Sequence, residues 1–449
     1  MTRASARWSR RRLLGRLAAA GGGSALLAAC RGPAPQQGAE RTIQFWTLDL
    51  APKFNAYLQG VIAAWEQQNP GNRVVWTDIP WGSVERKLLA AVFARTAPDV
   101  VNLNPLFAAN LASKGGLLPL EGVLPAGAPQ GYLPLIWQAG RSAGPDGALQ
   151  QFAIPWYLTA RITLANTRLL QQAGFSAPPR TWAEVPAYAE AVRRRTGRYA
   201  LFVTAVPDDS AELLESLVQM GVTLLGPDQR AAFNSPAGRR AFAFWTDLYR
   251  RGLLPREVVS QGYRRAIELY QSGELAQVGS GAEFLRSIQT NAPQIAAVTR
   301  PYPPLTGADG EANVAVMTLA IPRQSRVAEQ AASFALFLTD AANQQRFAEQ
   351  ARVLPSSTGA LQQIRRNLEA ERPADQAEAL VQQARLLSAD TLGTARVLVP
   401  ASPGVKRLQA IVYTQLQRAM LGQISSDAAL REAEQQWNAY AAGRFSSGG

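Results

Sequence analysis

The sequence predicts an α/β fold, and three observations carry that prediction. Short apolar segments alternate with amphipathic ones from residue 41 onward. Cap and proline signals mark the later helix starts, and beyond about residue 325 the pattern is almost wholly helical. Thr42–Thr47 (TIQFWT) reads as a strand, followed by a helix with Phe54, Leu58, Val61, Ile62 and Trp65 on one face. Arg73–Thr77 is the second strand. Val84, Leu88, Leu89 and Val92 mark the second helix, and Asp99–Leu103 is the third strand. This βαβαβ opening implies parallel strands, because each return needs a helical crossover.

Further along, Thr181-Trp182-Ala183-Glu184 has capping-box spacing, and Asn234-Ser235-Pro236 places a cap residue before proline at a first helical position. Strands are expected at Arg161–Ala165, Tyr199–Val203, Leu275–Gly279, Ile295–Thr299 and Val314–Ile321. Helices are expected at 326–340, 341–350, 358–370, 373–386, 405–421 and 426–441. No tandem repeat of the kind that builds a solenoid is present.

Composition bounds the chemistry. The chain has 449 residues, one Cys and no His. Triads that use His, HExxH zinc helices, zinc ribbons and CxxC redox pairs are thereby excluded. Oxygen ligands alone remain for a metal, and neither a calcium-binding loop nor a phosphate-cradling glycine motif occurs, so no metal or cofactor is expected. Paired carboxylates stay open as a glycosidase alternative, with Asp208, Asp209, Glu274 and Glu283 as the acids to consider.

The net charge of +13 divides unevenly. Residues 1–30 hold six Arg and no acid, which leaves 40 basic against 33 acidic residues in the remainder. No run of cations interleaved with aromatics tracks a nucleic-acid backbone. The first thirty residues read as an export signal: an Arg-rich start, then a small-residue apolar stretch, Leu17–Ala29, too short to span a bilayer. Ser9-Arg10-Arg11-Arg12-Leu13-Leu14 is similar to a twin-arginine motif. Leu27-Ala28-Ala29-Cys30 is similar to a lipobox, which makes Cys30 the expected lipidation site. Residues 31–40, rich in Pro, Gly and Gln, read as a tether.

Nine tryptophans lie beyond the signal. Trp65 and Trp245 fall on amphipathic helix faces and are expected in the core. Trp46, Trp81, Trp156 and Trp182 fall at strand ends or in loops, where open α/β sheets bind ligands. An indole face offers a flat apolar platform for the C–H face of a sugar ring. Trp156 and Tyr157, adjacent on a strand exit, are not expected to share one core.

Read in order, FWT at 45–47, WEQQNPG at 65–71, VVWTDIPW at 74–81, TAPDVVNLNP at 96–105, GGLLPL at 115–120, AIPWY at 153–157, LANTRLLQQAGFSAPPRTWAEV at 164–185, FNSPAGRRAF at 233–242 and LAIPRQS at 319–325 resemble the extracellular solute-binding proteins of family 1, the carbohydrate-binding components of ABC importers. The resemblance implies two α/β lobes of the periplasmic-binding-protein type, joined by hinge strands, with a helical C-terminal region. Lobe one would be 41–152 plus 303–354 and lobe two 153–302 plus 355–449, with crossings near Gln151–Pro155, Arg300–Pro304 and Leu354–Ser357. It implies a monomer that closes on a carbohydrate and delivers it to a permease, without catalysis. The ligand contacts it implies are Trp46, Thr47, Trp81, Asn102, Asn104, Phe107, Trp156, Tyr157, Thr159, Asp208 and Asp209. Asp99 is expected to be structural. Where the family carries a stacking Trp, this chain has Glu283 and Phe284, which leaves the sugar open. An anionic polyol such as a glycerophosphodiester is the alternative ligand, with Lys114, Arg161 or Arg286 as its cations.

Overall fold

The computed structural model describes residues 41–207, 210–282, 284–399 and 404–445. The export signal, Cys30, the tether, Asp208, Asp209 and Glu283 lie outside the described residues.

β1 (Arg41–Leu48), β2 (Asn72–Ile79) and β3 (Val100–Leu103) form the parallel opening, with Ile43 opposite Val74 and Phe45 opposite Val100. Helices Asn55–Gln68 and Trp81–Ala94 make the two crossovers. The first buries Leu58, Val61, Ile62 and Trp65, as the 3.6-residue spacing requires. β4 (Arg141–Ala143) and β5 (Leu149–Gln151) form a separate antiparallel hairpin. β6 (Ala153–Ala160) follows, then β7 (Ile162–Asn166), β8 (Gln277–Ser280), β9 (Thr299–Tyr302), β10 (Ala312–Ala320), β11 (Leu354–Pro355) and β12 (Ala395–Arg396).

Two sheets divide these strands. The first runs β11-β6-β10-β3-β1-β2, with β12 beside β10. Parallel at one side, it turns antiparallel where β10 meets β3 and β6. The second is a small antiparallel sheet, β8-β7-β9. On one face of the first sheet Phe45 and Trp156 pack with Trp65 and Phe334; on the other Leu48 and Val101 pack with Leu88 and Phe107. A separate core holds Tyr188, Trp245, Tyr270, Tyr413 and Trp437, drawing in helices Val405–Met420 and Ser426–Phe445. This partition makes two lobes.

The lobe boundaries expected from the sequence need correction. β6 belongs to the first sheet, flanked by β10 and β11, so the chain first crosses at Arg161 rather than within 151–155. Pro155 sits inside β6, where the register with β10 shifts between Met317 and Thr318. A proline with no N–H to donate is accommodated at such an irregularity, so here it marks a bulge and not a hinge. Leu354–Ser357 is not a crossing either, since Leu354 pairs with Leu158. The helix Gln376–Thr391 packs on both cores, Val381 and Ala384 on the second and Ala389 on the first, and the chain leaves the first sheet after β12.

Two expected strands also differ. Tyr199 makes only an isolated bridge to Leu275. Pro293–Ala296 is a short helix opened by its proline, and β9 starts at Thr299. The cap signals hold. Thr181 and Glu184 close a capping box over a short turn, Trp182–Glu184, ahead of helix Val185–Thr196. The Ser235 side chain accepts from the Gly238 N–H at 3.1 Å and opens helix Pro236–Arg250. Among the described residues no helix is long and apolar enough to cross a membrane.

Candidate functional site

The site begins at the C-terminal ends of β1, β2 and β3. Asp78, at the end of β2, organises the first two. Its Oδ1 accepts from the Thr47 hydroxyl at 2.6 Å and from the Leu50 N–H at 3.1 Å, and its Oδ2 accepts from the Ala51 N–H at 3.0 Å. Thr47 also accepts from the Trp76 indole N–H at 2.7 Å. Thr47 is therefore fully buried and its hydroxyl is engaged. The sequence reading passed over Asp78; its place directly after a strand, before a Pro-Trp helix start, was the available signal.

Trp81 is the first residue of its helix. Its backbone N–H donates to Asp49 Oδ2 at 2.7 Å, and its ring is 42% exposed. Trp46, at the end of β1, is half-buried beside the Leu48, Ile79 and Leu88 cluster. Asn104 caps helix Pro105–Ala112 by accepting from the Phe107 N–H at 2.8 Å. These three residues share the lobe-one rim and keep exposed surface. Asp99 is structural: it accepts from the Gln44 N–H at 2.8 Å and from the Ser325 hydroxyl at 2.7 Å.

Other expected contacts are turned inward. Asn102 is buried and donates to the Thr318 carbonyl at 3.1 Å. Phe107 is buried in the lobe-one core. Trp156 is 0% exposed and stacks on Phe347, with centroids 5.1 Å apart at 20°. Tyr157 is half-buried and meets the same Phe347 ring edge-on at 5.3 Å. The two adjacent aromatics share one neighbourhood because helix Ala341–Ala351 lays Phe347 against both. Burial pushes the Tyr157 hydroxyl above its usual range, and the Asp78 carboxylate adds to the shift. Thr159 is half-buried and lies beside Arg352 and Arg385. Phe284 begins helix Phe284–Asn291 and packs against the lobe-two core. Trp182 is buried too, its indole N–H donating to Gln219 Oε1 at 2.8 Å.

Polar contacts between the lobes include the following. Lys406, at the start of helix Val405–Met420, pairs with Glu85 at 2.6 Å, one turn along from Trp81. Both partners are exposed, so this tie is weak and easily broken. Deeper, Arg161 pairs with Glu215, and the Asn313 amide donates to Glu215 Oε1 at 2.6 Å. Asn313 in turn accepts from the Leu398 N–H at 3.1 Å.

A groove of about 1150 Å³ also lies between the lobes, lined by Lys114, Asp146, Asp309, Glu311 and Arg396 among others. Among the described residues no aromatic side chain and none of the expected carbohydrate contacts line it; Lys114, a cation considered for an anionic ligand, does, and Arg396 is paired with Glu311. This groove and the aromatic rim are thus different places. Strand C-terminal ends converge at the rim, which carries the indole surfaces. Of the cations considered for an anionic ligand, Arg161 is neutralised by Glu215 and Arg286 is exposed on helix Phe284–Asn291. Of the acids considered for catalysis, Glu274 pairs with Arg198 at the surface. Among the described residues no three acidic or Cys side chains converge to hold a metal.

The description of the bacterial extracellular solute-binding proteins matches residues 51–345. A solved structure from Synechococcus sp. MITs9220, provisionally described as an oligosaccharide periplasmic-binding protein, is 69% identical, covers 90% of this chain and 100% of its own, and superposes with a TM-score of 0.84. That protein has also been solved in complex with zinc. The mannitol-binding protein of Pseudomonas aeruginosa is 26% identical over 71% of this chain and 73% of its own. Binding proteins of Brucella abortus are 20% identical over 56% of this chain, and the match spans 61% of their length. With the family description covering most of the two lobes, the chain belongs to the bacterial extracellular solute-binding proteins.

Proposed function

We propose that the protein is the substrate-binding component of an ABC import system, capturing a carbohydrate between its lobes and handing it to a membrane permease. One observation carries this reading: Trp81, 42% exposed at the end of β2, stands with Trp46 on the lobe-one rim, next to the Glu85–Lys406 contact with lobe two. Exposed indoles supply the apolar platform, and polar groups such as Asn104 fix hydroxyls. Asp208, Asp209, Glu283 and Phe284 are the lobe-two partners in this reading. A weak exposed ion pair suits lobes that open and close around a ligand. The sugar-binding and mannitol-binding descriptions of its relatives support a neutral polyol over an anion. Export, lipidation at Cys30 and a monomeric state complete the reading, and catalysis forms no part of it.

The test is equilibrium binding of a panel of neutral mono- and oligosaccharides and hexitols, with new reducing ends assayed in parallel. Saturable binding without turnover is expected. Sustained product formation that depends on the rim residues would overturn the binding-only reading.

A further inference from the structure

A second polar pocket lies where helices Ala341–Ala351, Thr358–Ala370 and Gln376–Thr391 meet. Arg385 and Ser388, three positions apart on the last helix, share a face. Arg385 is 9% exposed, yet it forms no hydrogen bond or ion pair with any described residue. Ser388 is 4% exposed, and its Oγ has no hydrogen-bond partner. Buried polar groups are nearly always paired within a protein, so two unpaired ones side by side call for an explanation.

The space around them has two parts. An inner chamber of about 20 Å³, bordered by Thr159 and Ser388, has room for one water-sized group. An outer pocket of about 380 Å³ opens beyond it, and Arg352 and Arg385 line both. Glu349 and Glu371 also line the outer pocket, but neither forms an ion pair with Arg385. Glu349 accepts from the Gln345 and Asn367 amides at 3.1 Å each, and Glu371 is exposed at the rim. Burial holds the Arg385 guanidinium below its usual range and Arg352 pushes it further down, with Glu371 and Glu349 opposing.

We propose that this pocket binds a small oxyanion, a carboxylate or phosphate group, gripped by the Arg385 and Arg352 guanidinium groups with the Ser388 hydroxyl as a further donor. Planar guanidinium forks match the oxygen spacing of such groups, and the anion supplies the acceptor oxygens that Arg385 and Ser388 lack within the protein. The site is distinct from the aromatic rim and stands whether or not the rim binds sugar.

The test is thermal unfolding of the full chain titrated with sodium phosphate, with sodium acetate, and with sodium chloride as reference, all at constant ionic strength. Phosphate or acetate is expected to raise the melting temperature saturably above the chloride curve. Arg385→Met is expected to abolish that rise while melting no lower than the wild type in chloride, since it removes an unpaired buried charge. Ser388→Ala is expected to weaken the response several-fold, and Trp81→Ala to leave it unchanged. Equal responses to all three salts in the wild type, a full phosphate or acetate response retained in Arg385→Met, or an Arg385→Met variant that is unfolded in chloride, would each overturn the proposal.

Discussion

The Asn313 amide donates to Glu215 Oε1 at 2.6 Å, and the other oxygen of the same carboxylate pairs with Arg161. Asn313 belongs to β10 of the first sheet, Arg161 is the single residue between β6 and β7, and Glu215 sits on a lobe-two helix. One buried carboxylate therefore fastens lobe two to two of the strands that leave lobe one.

Glu215→Ala removes the ion-pair partner of Arg161, leaving it the Ser210 carbonyl and the more distant Glu212, and strips the Asn313 amide of its acceptor. Removing one partner of a buried pair costs about 3–5 kcal/mol. Urea unfolding should show a loss of this size, and Glu215→Gln should recover part of it by still accepting from Asn313.

Trp81→Ala should weaken carbohydrate binding by about 1 kcal/mol, roughly fivefold in Kd. Its effect on the apo melting temperature should be small, because much of the ring is already in solvent. A Kd equal to the wild type's in a calorimetric titration would move the ligand off this rim.

Trp156→Ala should behave in the opposite way. Its indole is fully buried among Phe45, Tyr157 and Phe347, so truncation should cost about 3–5 kcal/mol in urea unfolding. A stable variant with weakened ligand affinity would return Trp156 to the binding surface.

The contrast between these two tryptophans shows what was legible in the sequence. The βαβαβ opening, the capping box at Thr181 and the Ser235-Pro236 helix start are local signals of period and cap chemistry, and they appear where read. Which face of β6 meets a core depends on helix Ala341–Ala351, nearly two hundred residues on in sequence, and no local pattern reports that. The same holds for Pro155, read as a hinge and found at a bulge, because its pairing partner Thr318 is remote in sequence. Trp46 and Trp81, read at a strand end and in a loop, keep exposed surface there. Thr47 carries the right chemistry for a ligand but spends it on Asp78, and Asn102 is buried with its amide N–H on the Thr318 carbonyl.

Alkaline pH should destabilise the protein. Burial pushes the Tyr132 hydroxyl up to about 12, partly offset by its hydrogen bond with Thr339. Burial likewise holds Tyr57, Tyr188 and Tyr270 above their usual range. A phenol whose pKa is raised by folding contributes stability that is complete below pH 10 and lost as pH rises through the folded value. For Tyr132 the window is about pH 10 to 12, at about 1.4 kcal/mol per pH unit. Tyr132→Phe should flatten that part of the stability curve. Tyrosinate absorbance should appear late, together with unfolding.

The central claim is that the indole rim binds a neutral carbohydrate. Calorimetric titration of the wild type and Trp81→Ala with the same panel of neutral oligosaccharides and hexitols tests it most directly. The expected result is one-site saturable binding of at least one neutral sugar or hexitol by the wild type, weakened in Trp81→Ala. Saturable binding of a glycerophosphodiester with no heat from any neutral carbohydrate would contradict it.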